Sequence, residues 1–265
     1  MGGGCDVLFA HAFAEMLVEK ELCERSNVVY ANSVGPRPFS DLENVSSRIL
    51  RFRSPVQPLA PGDACYGSVR LEQSLPRGPE GCPLIIVVDK PKPEESPAET
   101  TKNNVENVSP QLKALGFDVI IGLDAGGDSI TGGVDFEGDR SVGRDRQMLA
   151  ILSAVGVPFF HVVAGPCCDG ESTPEFMAQC FGVLDKQFCG SFSLEPLLKT
   201  LAETAGGLKP TRTPNIVRAS FEVDSETFQV ERNIRPLIPT EWLRLGFVLQ
   251  WQPNVDPSLP MLSHL

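Results

Sequence analysis

The hydrophobic positions of this chain follow two different spacings. Apolar residues recur every three or four positions from residue 6 to 25, and this spacing predicts an amphipathic helix. Further along, short unbroken apolar runs are typical of strands buried on both faces. Strands are predicted at 27–33, 46–52, 64–73, 83–89, 117–123 and 157–165. Helical spacing returns at 144–155 and 174–187, and this alternation of strands with helices predicts βαβ units.

Capping residues predict two helix starts. Ser109 followed by Pro110 has the composition of an N-cap and first helical position, and Gly116 would end that helix. Thr173 followed by Pro174 gives the same signal for the next helix. Residues 90–107 are polar and proline-containing, and they are predicted to be a loop or the frayed start of the helix that follows.

We therefore expect an α/β fold, namely a Rossmann-like three-layer α/β/α core with a mostly parallel sheet over residues 1–192. Residues 193–265 are expected to form a C-terminal helix and a β-hairpin extension packed on the same domain. The hairpin strands are predicted at 214–223 and 226–234, turning at 224–225. Residues 239–251 are predicted to be a last short helix or strand.

Composition narrows the choice of partners. The formal charge of −11 argues against nucleic acid, whose phosphates need a basic face. The chain has no apolar run of 18 residues and no basic leader, so we expect a cytoplasmic protein without a membrane span. A small-molecule ligand is the expected partner, and self-association into a homo-oligomer stays open.

Cysteine and histidine do not suggest a metal centre. None of the eight cysteines forms a CxxC pair, so reduced thiols are expected. The adjacent Cys167 and Cys168 are the exception, for which a redox pair is the alternative. His161 stands inside an apolar run and is predicted to be a hydrogen-bonded core histidine.

An acidic, glycine-rich stretch follows the strand at 117–123. Residues 123–149 hold six carboxylates, Asp124, Asp128, Asp135, Glu137, Asp139 and Asp145. In an open α/β sheet ligands bind beyond the carboxyl ends of the strands, where this stretch and the 165–173 loop both emerge. The two loops are therefore predicted to be neighbours.

Within this stretch the first half is the candidate site. Asp124, Asp128 and Ser129 are the candidate catalytic residues, and Asp124 and Asp128 are also candidate ligands of Mg²⁺, which prefers oxygen. Cofactor or anion contacts are predicted at Gly126, Gly127, Gly165 and Thr173. The second half, with Asp135, Glu137, Asp139 and Arg140, is interpreted as a solvated turn.

Three segments, taken in order, resemble a known family. "GGGCDVLFAHAFAEML", "VVYANS" and "GFDVIIGLDAGGDSITGG" are similar to the domain of unknown function 1152 family. By motif the resemblance carries over Gly3, Gly4 and Asp6, and then Asp124, Gly126, Gly127, Asp128 and Ser129. It implies one α/β site and supplies no reaction.

One departure from that family concerns the amino terminus. Its members have an apolar strand before the glycine turn, whereas this sequence starts with the glycines. Either the true start lies upstream, or the strand is supplied otherwise or missing.

Two functions fit these residues. The first is an Mg²⁺-assisted enzyme acting on a small polar or phosphorylated metabolite. The alternative is a non-catalytic small-molecule-binding or interaction protein that uses the same cleft.

Overall fold

The computed structural model describes residues 5–36, 42–52, 84–89, 95–132, 143–205 and 208–251, which contain eight α-helices and ten strands. The helices are α1 (Asp6–Glu19), α2 (Pro97–Lys113), α3 (Asp128–Thr131), α4 (Gly143–Ser153), α5 (Pro174–Val183), α6 (Leu198–Ala205), α7 (Thr213–Ser220) and α8 (Thr240–Leu243). The strands are β1 (Ala31–Val34), β2 (Leu42–Asn44), β3 (Ile49–Phe52), β4 (Leu84–Val87), β5 (Ile120–Ala125), β6 (Phe159–Ala164), β7 (Phe188–Ser193), β8 (Thr227–Gln229), β9 (Leu237–Pro239) and β10 (Leu245–Trp251).

The strands form two mixed four-stranded sheets and a separate hairpin. The first sheet has the order β1-β4-β3-β2, in which only β1 and β4 are parallel. The second has the order β5-β6-β10-β7, in which only β5 and β6 are parallel. The prediction of a Rossmann-like three-layer fold with a mostly parallel sheet is therefore wrong, although the α/β class is correct. An apolar run shows that a strand is buried on both faces but does not show its direction.

The C-terminal segment supplies the strand that makes the second sheet mixed. β10 lies between β6 and β7 and is antiparallel to both. Residues 239–251, predicted as helix or strand, contain both α8 and β10. The hairpin does not pair the predicted segments, because residues 213–220 form α7 and β8 pairs with β9 instead.

Helix α2 begins earlier than its capping signal predicted. Ser96 is the N-cap, and it forms a capping box with Glu99. Ser109 instead lies inside the helix, where its Oγ donates to the carbonyl of Ile151 at 2.8 Å, and Pro110 lies in the last turn. Of the two predictions for residues 90–107, the start of a helix is thus correct from residue 97 onward. The predicted strand at 64–73 lies outside the described residues.

The core fills both sides of the second sheet. Val162 packs into a cluster with α1, α6 and α7, whereas its neighbour Val163 packs into a second cluster with α2 and α4. This alternation follows from the pleat of β6, which turns successive side chains to opposite faces. None of the described helices is long and apolar enough to cross a membrane.

The position of β10 predicts where truncation destabilises the fold. Leu249 is fully buried in β10, so Leu249→Ala should lower the free energy of unfolding by about 2–5 kcal/mol in urea titrations. The matched control is Leu237→Ala, because Leu237 in the separate hairpin is 57 % exposed. That variant should change stability by less than about 0.5 kcal/mol. Equal losses of stability in the two variants would contradict the position of β10 between β6 and β7.

Candidate functional site

The carboxyl ends of β5 and β6 bring the two predicted loops together. The strands are paired in parallel up to Ala125 opposite Ala164. Beyond that point the N–H of Gly126 donates to the carbonyl of Ala164 at 3.0 Å, and the N–H of Cys167 donates to the carbonyl of Gly126 at 2.7 Å. The prediction that these loops are neighbours is confirmed.

Three helices deliver carboxylates to this edge of the sheet. Asp6 opens α1, Asp128 opens α3 and Asp145 lies in the first turn of α4. The Oδ1 of Asp6 accepts a hydrogen bond from the N–H of Ala125 at 3.2 Å, which attaches α1 to the end of β5. A carboxylate is favoured in the first turn of a helix, where the backbone N–H groups point outward.

Asp124 forms the centre of the resulting cluster. One carboxylate oxygen each from Asp6, Asp124 and Asp145 lies within 4.8 Å of the other two, and all three residues are buried. We call these three residues the acidic triad. Two oxygen ligands on opposite sides of a cation, each about 2.0–2.6 Å from it, lie about 4–5 Å apart. The spacing of the carboxylate oxygens in the acidic triad therefore fits a bound cation. An all-carboxylate set of this kind suits hard divalent cations such as Mg²⁺.

Two further carboxylates border the acidic triad. Asp128 and Asp169 are at most 8 % exposed. Burial, and then the charges of Asp145 and Asp124, raise the pKa of Asp128 well above its ordinary value. Burial and the charge of Glu171 likewise raise the pKa of Asp169. Both groups thus retain a proton to higher pH than an exposed aspartate does.

Ser129 lies between Asp124 and the buried His161 and contacts both. Its backbone N–H donates to Oδ2 of Asp124 at 3.1 Å, and its hydroxyl donates to the same oxygen. The hydroxyl also lies 3.0 Å from Nε2 of His161, whose Nδ1 lies 3.0 Å from the carbonyl of Gly122. A carbonyl can only accept, so Nδ1 carries the hydrogen.

This serine–histidine pair is a structural contact. Both side chains have zero exposure, and burial lowers the pKa of His161 to about 3, so the imidazole is a weak base. A nucleophile and its base must both reach a substrate. The prediction of a hydrogen-bonded core histidine is confirmed, and Ser129 is placed to orient Asp124.

The predicted glycines shape the backbone of the site. Gly126, Gly127 and Gly165 all have positive φ, at 118°, 97° and 56°. A Cβ on Gly126 would come within 2.1 Å of the carboxyl group of Asp169, so only glycine lets the two loops approach this closely.

Thr173 caps its own helix. Its Oγ1 accepts from the N–H of Phe176 at 3.2 Å, as expected of the predicted N-cap. The N–H of Phe176, which an anion at this helix terminus would contact, is therefore already hydrogen-bonded. The predicted contact of Thr173 with a ligand stays a prediction.

The cysteine pair beside the site is buried. Cys167 and Cys168 have zero exposure, and burial raises the pKa of the Cys168 thiol well above its ordinary value. A thiol that ionises poorly and is shielded from solvent is a weak nucleophile. Ordinary thiols describe the pair better than a redox function.

The structure brings some of the predicted site residues together and adds two others. Asp124 and Ser129 are together as predicted, but Asp124 meets Asp6 and Asp145 and not Asp128 in the acidic triad. The available signal for Asp6 and Asp145 was their position in the first turns of predicted helices. The acidic residues of the second half of the stretch, from 135 to 139, lie outside the described residues.

Comparison with known proteins gives one match. The model of a family described as "Protein of unknown function (DUF1152)" matches residues 1–196, so the resemblance predicted from the sequence is confirmed. No curated protein and no solved structure matches.

The raised carboxyl pKa values predict how stability depends on pH. In EDTA, the free energy of unfolding should fall as pH rises above about 3.9, because folded Asp128 and Asp169 keep protons that the unfolded chain has released. His161 acts in the opposite direction, because its lowered pKa costs stability as pH falls from about 6.5 toward about 3.

Comparing wild type with Asp128→Asn cancels the contribution of His161. The variant should lose less stability than wild type as pH rises, in urea titrations at a series of pH values. The control Asp118→Asn replaces an exposed carboxylate and should follow wild type. If the free energy of unfolding of Asp128→Asn depended on pH as that of wild type does, Asp128 would not keep its proton in the folded protein.

Proposed function

We propose, for a chain that belongs to the DUF1152 family of proteins of unknown function, that it is an Mg²⁺-assisted enzyme acting on a small polar or phosphorylated metabolite. The reaction site would lie at the carboxyl ends of β5 and β6. The observation that carries this proposal is the meeting of three buried carboxylate oxygens of the acidic triad within 4.8 Å.

The charge of the site supports a bound cation. Asp124 and Asp128 are buried, and no described lysine, arginine or histidine forms an ion pair with either of them. Burying an uncompensated carboxylate is costly, and such a group either takes up a proton or binds a cation. Among the described residues, Oδ1 of Asp124 accepts no hydrogen bond, which leaves it available as a ligand atom.

Asp6, Asp124 and Asp145 would hold the cation, and Ser129 would keep Asp124 in place. A bound Mg²⁺ neutralises negative charge and binds the oxygens of a phosphate. The proposed substrate follows from this chemistry, because carboxylates alone repel an anion whereas a metal-bearing cluster attracts it.

Asp128 and Asp169 supply the acid–base groups in this proposal. Their raised pKa values make them proton donors at a pH where an exposed aspartate is ionised. Asp169 packs against Gly126, so its carboxyl group lies between the two loops where a ligand would enter. The backbone of Gly126 and Gly127 would then line the ligand.

Metal binding tests the first half of the proposal. Mg²⁺ or Mn²⁺ at about 100 times its dissociation constant should stabilise wild type by about 2.7 kcal/mol in thermal or urea unfolding. Asp124→Asn should abolish that stabilisation, because it removes a ligand charge while keeping the shape of the side chain. The control Asp118→Asn should respond to the metal as wild type does. Equal responses in all three proteins would place the metal elsewhere.

Substrate turnover tests the second half. With Mg²⁺ present, sugar phosphates and nucleotides should be screened for added stabilisation, and each hit assayed for conversion. We expect Asp128→Asn to lower kcat by about 10²–10⁴-fold, with a smaller effect on KM, as for loss of a general acid. A hit that binds at this site and is not converted would favour the alternative, a non-catalytic ligand-binding protein.

A further inference from the structure

The loop of the C-terminal hairpin lies directly against the candidate site. Residues 230–236 connect β8 to β9, and we call them the hairpin loop. The N–H of Ile234 donates to the carbonyl of Gly170 at 3.0 Å, and Nδ2 of Asn233 donates to the carbonyl of Asp169 at 2.8 Å. The hairpin loop is therefore attached to the loop that follows β6, which forms one side of the site.

The backbone of the hairpin loop has a defined shape. Asn233 and Arg235 both have a φ of 49°, in the left-handed region that residues other than glycine rarely adopt. The N–H of Arg235 donates to the carbonyl of Arg232 at 2.9 Å. A Cβ on Gly170 would lie 2.2 Å from that same carbonyl oxygen, so glycine is required for this close packing. The backbone of Arg232 is thus fixed against the site.

The two arginines of the hairpin loop have different surroundings. Arg235 is exposed, and its Nε lies 3.8 Å from Oε2 of Glu231. Arg232 is half-buried, and none of the described carboxylates forms an ion pair with it. Arg232 therefore carries a positive charge that no described side chain neutralises by direct contact.

Asp169 connects Arg232 to the acidic triad. Its carboxyl group packs against Gly126, two residues beyond Asp124, and its neighbour Gly170 packs against Arg232. Burial is the main cause of the raised pKa of Asp169, and the charge of Asp124 adds to the rise whereas that of Arg232 opposes it. A ligand at the carboxyl ends of β5 and β6 would therefore have both carboxylates and one guanidinium within reach.

We propose that Arg232 binds the phosphate group of the substrate, and that the substrate is a phosphorylated metabolite and not an uncharged polar one. This proposal rests on the function proposed above, in which the acidic triad holds Mg²⁺. Arg232 is then the residue that determines specificity for an anionic group at this site.

The chemistry of a guanidinium determines this class of ligand. It donates hydrogen bonds and accepts none, and its planar fork matches two oxygens of one phosphate. Mg²⁺ is usually bound by one or two carboxylates together with the phosphates of a substrate. One phosphate group can therefore contact both the cation and Arg232. An uncharged sugar or alcohol would leave the charge of the guanidinium unbalanced.

Arg232 also lies outside the residues that the family model matches, which end at residue 196. The acidic triad lies within that match. The proposed division of function is thus that the matched part of the chain supplies the metal ligands and the hairpin loop supplies the contact to the substrate anion.

Calorimetric titration of inorganic phosphate into the protein in the presence of Mg²⁺ tests this proposal. Arg232→Gln should weaken phosphate binding at least tenfold, because it removes the charge and the two-oxygen contact. Arg232→Lys should lose less affinity, since it keeps the charge without the planar fork. The matched control Arg235→Gln removes the exposed, ion-paired arginine of the same loop and should bind phosphate as wild type does.

A side-chain NMR measurement distinguishes contact with phosphate from a purely structural function of Arg232. The Nε–H signal of Arg232 is assigned as the one missing in Arg232→Lys. It should shift when inorganic phosphate is added to the Mg²⁺-bound protein, while the signal of Arg235 stays in place. An unchanged Arg232 signal at saturating phosphate would overturn the proposal, even if Arg232→Gln proved unstable.

Failure of this proposal can be told apart from failure of the proposed function. If wild type binds Mg²⁺ and Arg232→Gln binds phosphate as tightly as wild type, Arg232 does not bind the anion and the metal site stands. If wild type does not bind Mg²⁺, the proposed function is wrong and this proposal fails with it. Acetate that binds more tightly than phosphate would show that the site selects a carboxylate ligand, which also overturns the proposal.

Discussion

Repulsion between buried carboxylates is the constraint on which the candidate site depends. Asp6, Asp124, Asp128, Asp145 and Asp169 are each at most 8 % exposed. Burial is the leading cause of the raised pKa values of Asp6, Asp128 and Asp169, and neighbouring carboxylates add to it in each case. Protonation or a bound cation would relieve this repulsion.

The backbone fixes the positions of these carboxylates. Helix N-termini carry Asp6, Asp128 and Asp145, and the positive-φ glycines let the two strand-end loops touch. The second loop is in turn held by the C-terminal hairpin region, because Nδ2 of Asn233 donates to the carbonyl of Asp169 at 2.8 Å. Asn233 lies outside the residues matched by the family, so part of the support for the site comes from beyond that match.

Helix α1 connects the acidic triad to the apolar core. It packs Val7, Leu8 and Phe9 into the cluster on one side of the second sheet. From its first turn it supplies Asp6 to the triad. The position of Asp6 therefore depends on how α1 packs.

Local patterns determined much of this protein from the sequence. Apolar runs located β1, β3, β4, β5 and β6, and capping chemistry located α5. The position of Asp124 and Ser129 after a buried strand marked them as candidate site residues. These signals come from residues close together in the chain, where hydrogen-bonding and periodicity rules apply. Only the tertiary structure decided strand direction and the partners of Asp124. β10 pairs with β6, which lies more than 80 residues earlier in the chain, and Asp6 lies beside Asp124 although more than 110 residues separate them. No local pattern encodes such pairings, because they depend on how whole elements pack.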